Sequence, residues 1–407
     1  MERVFKTRET IFTPYHDTWN ANAYERREPF CERPWQMRAN STSGAPVVQG
    51  NDFMVGLLRE CDAVFEWDGA ELKTTAPDDA VFVSAASSES QRWAEYHQAL
   101  GIPMRKAPFG LLPEYCTWVE QMKQASVRGI QGTLDTLTPG LIDSYLDTVQ
   151  QADWPAGRFS VVAVSSTIGG NGGLGDWVPR EGFDMPAIAE RIRSHGHVPG
   201  LWLAPALIAR DSRAAILHPE LVGEAVEMDG ECEWTKYGYL NPSARSQQLI
   251  TDLFQRVFDW GFRKFKLDIF YGPKPLMRDL SKQCRIAADR LPEPVELEGH
   301  IPDPFCAQYM DVIRINDLMI SDRHPHWRDV LDGHVKVCRN SAPGMVLNLD
   351  HVGGNCADVT EENFVAHTEA LQASLSVGYP CLSLLPHHIG PKAVESFTRM
   401  VNKSFET

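Results

Sequence analysis

From about residue 107 onward, short apolar runs alternate with amphipathic stretches eight times, and no other feature narrows the fold as far. The runs begin with Pro113-Glu-Tyr-Cys-Thr-Trp-Val, Phe159-Ser-Val-Val-Ala-Val-Ser-Ser and Val198-Pro-Gly-Leu-Trp-Leu-Ala-Pro. They continue with residues 263 to 271, Val295-Glu-Leu-Glu-Gly-His and Met310-Asp-Val-Ile-Arg-Ile-Asn-Asp. Gly344-Met-Val-Leu-Asn-Leu-Asp-His and Pro380-Cys-Leu-Ser-Leu-Leu-Pro complete the set. Helix-period stretches lie at 138–151, 184–195, 243–260, 275–291, 326–337, 360–376 and 391–405, with Gly196 and Gly261 placed as C-terminal stops. Near-continuous apolar strands joined by helical crossovers make a parallel sheet covered on both faces, and eight such units close into a (β/α)8 TIM barrel.

The fourth run carries the sharpest chemistry. In Gly261-Phe-Arg-Lys-Phe-Lys-Leu-Asp-Ile-Phe-Tyr-Gly, Lys266 and Asp268 interrupt an aromatic strand two residues apart, and so on one face. Buried charges cost several kcal/mol unless they are paired or used. One reading is a structural ion pair; the other is a catalytic carboxylate at the end of a barrel strand with a lysine beside it to hold it ionised. The ends of the other runs favour the second. They carry Glu114 and Trp118, Ser165 and Ser166, Trp202, Glu298 and His300, Arg314 and Asp317, Asp350 and His351, and His387 and His388. Carboxylates and indoles converging on one mouth suit a polyhydroxylated ligand. Two carboxylates flanking a glycosidic bond are the equipment of glycoside hydrolysis. Asp268 is the candidate nucleophile and Asp317 the candidate acid/base; the alternative for Asp317 is a helix N-cap, with Asp303 and Asp322 as competing acids.

Composition sets outer bounds. The 407 residues suit one large barrel and an appendage, divided at 1–105 and 106–407. Residues 1–105, with alternating pieces such as Asp52-Phe-Met-Val-Gly-Leu-Leu and Ala80-Val-Phe-Val-Ser, read as a small β-rich accessory region. A net charge of −15 argues against nucleic acid or an anionic membrane as partner. No apolar run approaches the ~18 residues of a membrane span, and the amino terminus lacks the apolar core of a secretory signal, so a cytoplasmic protein is expected. The nine cysteines are scattered and odd in number, which points to reduced thiols rather than a zinc cage or disulfide framework; Cys116, Cys306, Cys356 and Cys381 read as small buried residues near a pocket. Exposed apolar surface leaves room for a homo-oligomer.

Together Gly200-Leu-Trp-Leu-Ala-Pro, His218-Pro-Glu, Tyr239-Leu-Asn-Pro and Phe265-Lys-Leu-Asp-Ile-Phe resemble the α-galactosidase-type glycoside hydrolases of family 36, relatives of family 27. Arg314 and Asp317 in Val312-Ile-Arg-Ile-Asn-Asp match the acid/base strand of those enzymes, Pro113-Glu-Tyr-Cys-Thr-Trp resembles the first strand, and Asn348-Leu-Asp the seventh. The resemblance spans roughly residues 110 to 400. It implies a retaining mechanism on an α-linked sugar, with Asp268 as nucleophile, Asp317 as acid/base, and Trp202, Lys266 and Arg314 around the sugar. It calls for no cofactor and no metal. Trp118, Glu298, His300, Asp350 and His351 complete the expected substrate-binding set.

Three features depart from the family pattern. The acidic pair at the end of the second strand is replaced by Val164-Ser-Ser-Thr-Ile, the Ser-Asp of the eighth by Leu382-Ser-Leu-Leu-Pro-His-His, and no C-terminal β-domain is expected after the last barrel helix. An altered sugar specificity is therefore expected, for instance an anionic sugar facing Arg210, His351, His387 or His388. Gly169-Gly-Asn-Gly-Gly-Leu-Gly lacks the lysine of a P-loop and reads as a loop over the mouth, bringing Asp176 and Trp177 toward substrate. The other readings are a catalytically silent saccharide-binding barrel and a metal-dependent barrel hydrolase or isomerase using Asp268, Glu298, His300, Asp350 and His351.

Overall fold

The computed structural model describes residues 3–6, 41–68, 70–127, 129–162, 173–225, 236–270, 272–321 and 324–405. Eight parallel strands close into a barrel, each paired with its neighbours in chain order: β1 (Glu114–Cys116), β2 (Arg158–Val161), β3 (Val198–Leu203), β4 (Lys264–Leu267), β5 (Glu296–Gly299), β6 (Val312–Arg314), β7 (Val346–His351) and β8 (Gly378–Leu382). All eight expected strands are present with shifted ends; most are shorter than expected, while β2 and β8 begin one and two residues earlier. β4 stops at Leu267, which leaves Asp268 just past the strand, at the C-terminal mouth.

The barrel strands are buried on both faces because odd and even residues serve different neighbours. Phe159, Val161, Leu201, Leu203, Phe265 and Leu267 belong to the large hydrophobic cluster that includes Ile192, Phe254, Val257 and Phe397 from the surrounding helices. The alternate residues, in register as Gly200 with Lys264 and Trp202 with Lys266, point into the barrel. Gly200 has no room for a side chain, since a Cβ there would come within 2.8 Å of Ser160 Oγ.

Local signals fix where the helices begin. Ser243 and Ser246 exchange side-chain and backbone hydrogen bonds at the start of the helix Ala244–Asp259, a reciprocal cap. Thr138, Asp184 and Thr360 cap the helices Pro139–Gln151, Met185–Ser194 and Glu361–Leu371 through N–H groups three residues on. Gly261, at φ +101°, turns the chain from helix Ala244–Asp259 into β4.

The amino-terminal part is β-rich, as expected. It contains a three-stranded antiparallel sheet (Val47–Gln49, Met54–Leu57, Val81–Ser84) and a four-stranded one (Arg3–Lys6, Glu71–Thr74, Val64–Trp67, Ser41–Ser43). Its hydrophobic cluster is separate from that of the barrel but takes in Phe305 from the β5–β6 connection. Arg278 joins the two parts, donating to Gly44 O at 2.7 Å while paired with Asp303. Sequence patterning missed the short helices Trp118–Gln124 and Ile130–Thr136 after β1, and a three-stranded antiparallel sheet (Leu207–Ala209, Tyr237–Leu240, Val222–Ala225) inserted between β3 and its helix. The strands of that sheet are three or four residues long, too short for alternation to register. Among the described residues, no helix is long and apolar enough to cross a membrane.

Candidate functional site

The inward residues form two polar layers. The lower layer is a closed network across the barrel. Lys266 Nζ donates to Glu114 Oε1 at 2.9 Å and Glu298 Oε1 at 2.6 Å. Lys264 donates to Glu298 Oε2 at 2.5 Å, to the Tyr379 hydroxyl at 3.0 Å and to Glu114. Asn348 Nδ2 reaches Glu114 and Glu298, each at 2.9 Å. Beside them Arg158 pairs with Glu296, and its guanidinium lies 4.4 Å from the Tyr379 ring centroid. All these side chains are buried. Burial opposes charge in Lys266 and Glu298, but the pairing wins: Glu114 and Glu298 hold the Lys266 ammonium well above its ordinary range, and Lys264 and Lys266 hold the Glu298 carboxyl well below its own. Three cations face three carboxylates, so the floor is neutral.

The upper layer lies at the mouth and is built around Arg314, at the end of β6. Its guanidinium donates through Nη1 to Asp317 at 2.5 Å and Asp350 at 2.9 Å, and through Nη2 to Asp268 at 3.3 Å. Asp268 also accepts from Trp202 Nε1 at 2.9 Å and from the Ile269 N–H at 2.8 Å, and His300 Nδ1 stands 3.7 Å away. Burial pushes the Asp268 carboxyl up, but Arg314, then His300, Trp202 and Ile269, outweigh it and bring it down to about 2. Burial takes the His300 imidazole down to about 4, against the pull of Asp268, so it is neutral at neutral pH. Asp268 and Asp317 keep 22% and 18% of their side-chain surface open, whereas Asp350 is closed off at 1%. One face of each catalytic candidate is therefore gripped and the other is accessible.

The structure thus brings Asp268, Asp317, Trp202, His300, Arg314, Asp350 and His351 together at one mouth. No helix starts at Asp317, so the N-cap alternative does not describe it, whereas Asp303 does cap Pro304–Ala307 and pairs with Arg278. Lys266 and Glu298 lie one layer down, locked to each other. The cation beside Asp268 is Arg314, with Lys266 engaged elsewhere. The carboxylate–imidazole set of the metal-enzyme reading is split the same way, since Glu298 is already shared by two ammonium groups. Trp118 reaches the mouth through Asn355, donating Nε1 to Asn355 Oδ1 at 3.1 Å while Asn355 Nδ2 lies 3.5 Å from Asp317 Oδ2.

Ser165, Ser166, Asp322 and the glycines at 169, 170 and 172 lie outside the described residues. Asp176 does not approach the mouth; its carboxylate accepts from the Arg213 and Ala214 N–H groups and caps the short helix Arg213–Leu217. Trp177 does approach, with its ring centroid 6.3 Å from that of Trp202. His388 is bound to buried Glu120 at 2.7 Å. Glu114, expected at the mouth, lies in the floor. Lys264, Asn348, Asn355 and Tyr379 were not assigned to the site from sequence, and of these only Lys264 carried a signal there, as a charged residue within an apolar strand.

Among the described residues, two groups bring side-chain donor atoms close enough to hold a metal ion: Cys116, His351 and Cys381, and Asp317, Asp350 and His351. The second already has the Arg314 guanidinium on both its carboxylates. A small apolar crevice, lined by Leu201, Leu203, Leu253 and Val257 with Trp177 and Trp202 at its edge, lies between the barrel wall and a helix rather than over the aspartates.

No protein-family model matches the chain. Solved structures do share its fold. An α-galactosidase from Thermus thermophilus in complex with p-nitrophenyl α-D-galactopyranoside superimposes with a TM-score of 0.66 at 19% identity, over 98% of this chain and 89% of that one. An α-galactosidase from Lactobacillus brevis gives 0.62 at 12% identity, over 99% of this chain and 60% of that one. A family-31 dextranase from Flavobacterium johnsoniae, complexed with glucose, gives 0.65 at 10% identity, over 100% of this chain and 54% of that one. These likenesses show the (β/α)8 barrel fold.

Proposed function

We propose that the protein is a retaining glycoside hydrolase acting on an α-linked sugar, similar to the α-galactosidases but with altered specificity. The observation that carries this reading is Arg314: one guanidinium grips both Asp268 and Asp317, yet leaves each carboxylate open to the mouth. Two aspartates set across one planar group can address the two sides of a single glycosidic bond. Their environments differ as their roles require. Asp268 is fixed by four neighbours and held ionised, which suits a nucleophile; Asp317, touched by Arg314 and Asn355 and partly open to the mouth, is left for the acid/base role.

In the first step Asp268 attacks the anomeric carbon, the bond from that carbon to the leaving oxygen breaks, and Asp317 gives its proton to that oxygen. A glycosyl ester on Asp268 results. Water then attacks the same carbon, Asp317 takes the water proton, and the ester bond breaks to return the Asp268 carboxylate and the free sugar. Trp202 orients Asp268 through its indole N–H and offers an apolar face to the ring.

The mouth carries three carboxylates against Arg314, with His300 neutral. That excess of negative charge favours a neutral sugar developing positive charge and opposes an anionic one, and His388 is already committed to Glu120. Neutral α-galactosides and α-glucosides therefore come first in the test, since the structural neighbours hold p-nitrophenyl α-D-galactopyranoside and glucose. Aryl α- and β-glycosides would be assayed with wild type and Asp268→Asn, and a 2-fluoro glycosyl fluoride used to trap the ester for peptide mass spectrometry. Turnover of an α-glycoside, absent in Asp268→Asn, with the label on Asp268, is the expected result. A label elsewhere would overturn the assignment, and silence with tight sugar binding would make this a saccharide-binding barrel.

A further inference from the structure

Two cysteines far apart in the chain meet at the seam of the barrel. β8 pairs with β1 through Cys381 with Glu114 and Leu382 with Tyr115, so Cys116, two residues past Glu114 on the same face, stands beside Cys381. The third member arrives by a break in regularity. Strict alternation along β7 would turn His351 out of the barrel, because Asn348 and Asp350 point in. Instead the pairing register of β7 with β8 shifts between Asn348 and His351, and Asp350 takes φ +60°. His351 is thereby paired with Cys381, with Nδ1 at 3.8 Å from Cys381 Sγ.

The three donor atoms all lie within 4.8 Å of one another, on residues no more than 4% exposed. A tetrahedral zinc-class ion, with metal–sulfur bonds of ~2.3 Å and metal–nitrogen bonds of ~2.0–2.1 Å, requires sulfur–nitrogen spacings of roughly 3.5 Å. The arrangement is close to that without rearrangement of the backbone. On the far side of the ring, His351 Nε2 lies 3.8 Å from Asp350 Oδ1, a carboxylate near enough to favour the proton on Nε2 but beyond hydrogen-bond distance. The nearest cation, Lys266, has its charge answered by Glu114 and Glu298. Buried cysteines elsewhere, such as Cys284 and Cys338, belong to no such group among the described residues.

We propose that Cys116, Cys381 and His351 Nδ1 form a three-ligand site for a thiophilic divalent cation of the zinc class, with the fourth position open to water. Uptake is acid–base chemistry with no redox step. Each thiol releases one proton, two metal–sulfur bonds and one metal–nitrogen bond form, and the two thiolates neutralise the ion. The ion would tie β1, β7 and β8 together. The inference is independent of the glycosidase reading.

The test uses the full chain, reduced and stripped with a chelator, then titrated with cobalt(II). About one equivalent should bind, giving thiolate-to-metal charge-transfer absorption and the intense visible bands of a tetrahedral ion. Cys116→Ser and Cys381→Ser should bind at least ~100-fold more weakly, while Cys284→Ser should match wild type. Should the serine variants fail to fold, alkylation of wild type answers the same question: zinc should protect Cys116 and Cys381 and no other thiol, as read by peptide mass spectrometry. Absence of the charge-transfer band, protection of other cysteines, or recovery of Cys116 and Cys381 as a disulfide that excludes metal would overturn the proposal.

Discussion

The floor and the mouth of this barrel are built from the same residue types and solve opposite problems. On the floor, Lys264, Lys266 and Arg158 meet Glu114, Glu298 and Glu296, every charge is answered, and nothing is exposed. At the mouth, Asp268, Asp317 and Asp350 share Arg314, and two of the three remain partly open. A dry, balanced network is a frame; an unbalanced, accessible one is set up to receive something. The difference teaches that a charged residue inside a barrel is no evidence of chemistry until its neighbours are counted.

Exchanging the perturbation between the two layers tests that distinction. At the mouth, Asp268→Asn should reduce turnover by about 10⁴-fold or more, with a stability change under about 1–2 kcal/mol, because it relieves an excess of negative charge. Turnover assays and urea melts of the same preparation would show it, and a large loss of stability would break the comparison. On the floor, Lys264→Met leaves Glu114 and Glu298 to share Lys266 alone, with one negative charge unanswered in a dry interior, and should cost about 3–5 kcal/mol. Adding Glu298→Leu restores the balance of charge and should recover part of that loss; no recovery would mean that shape, not charge, dominates the floor.

Acid should act more gently. The His300 imidazole is held at about 4 by burial, against ~6.5 in an unfolded chain. Between those values the unfolded state takes up the proton first, so the stabilising contribution is complete above about pH 6.5 and declines as pH falls toward 4. Burial sets His197 at about 4 and His334 and His367 at about 3, and each adds a decline of the same sign. Asp268, also depressed, adds its own only below about pH 4. Between pH 7 and 4.5, His300 alone should account for roughly 2–3 kcal/mol of lost stability, which His300→Gln would remove from the urea midpoint. An unchanged pH dependence in that variant would contradict the assignment.

The smallest effect is expected at Asp350. Its φ of +60° suits asparagine as well as aspartate, so Asp350→Asn should alter stability by less than about 1 kcal/mol while weakening the hold on Arg314. A circular-dichroism melt well below wild type would show that the third carboxylate belongs to the frame after all.

The amino-acid order made the barrel legible because its signals are local: apolar runs of strand length, serine, threonine and aspartate caps, and the glycine after the helix Ala244–Asp259. Asp268, Arg314 and Asp317 were legible for the same reason, as charges at strand ends. Lys266 misled. It reads as the companion of Asp268, but two residues along a strand is a step of ~6.6 Å, enough to drop it from the mouth to the floor. Its true partners, Glu114 and Glu298, come from other strands and appear only when the barrel closes. The Cys116–Cys381–His351 cluster was illegible on two counts. Its members are remote in the chain, and His351 reaches the group through a register shift that no hydrophobic pattern announces. Asn355 had no signal, since a polar residue in a glycine-containing loop is what any loop would show.

The floor has a consequence for time as well as for energy. Its members come from β1, β2, β4, β5, β7 and β8, the earliest and latest strands included, so they can be paired only once the sheet has met its own first edge. Before that moment the lysines and glutamates are better off in water, and they offer a half-built barrel little help. Interactions absent until the last step leave the folding rate nearly untouched and act on the way out, where the whole set must be broken before water can reach any member. The network is therefore a latch: the ring shuts without it and then opens slowly because of it.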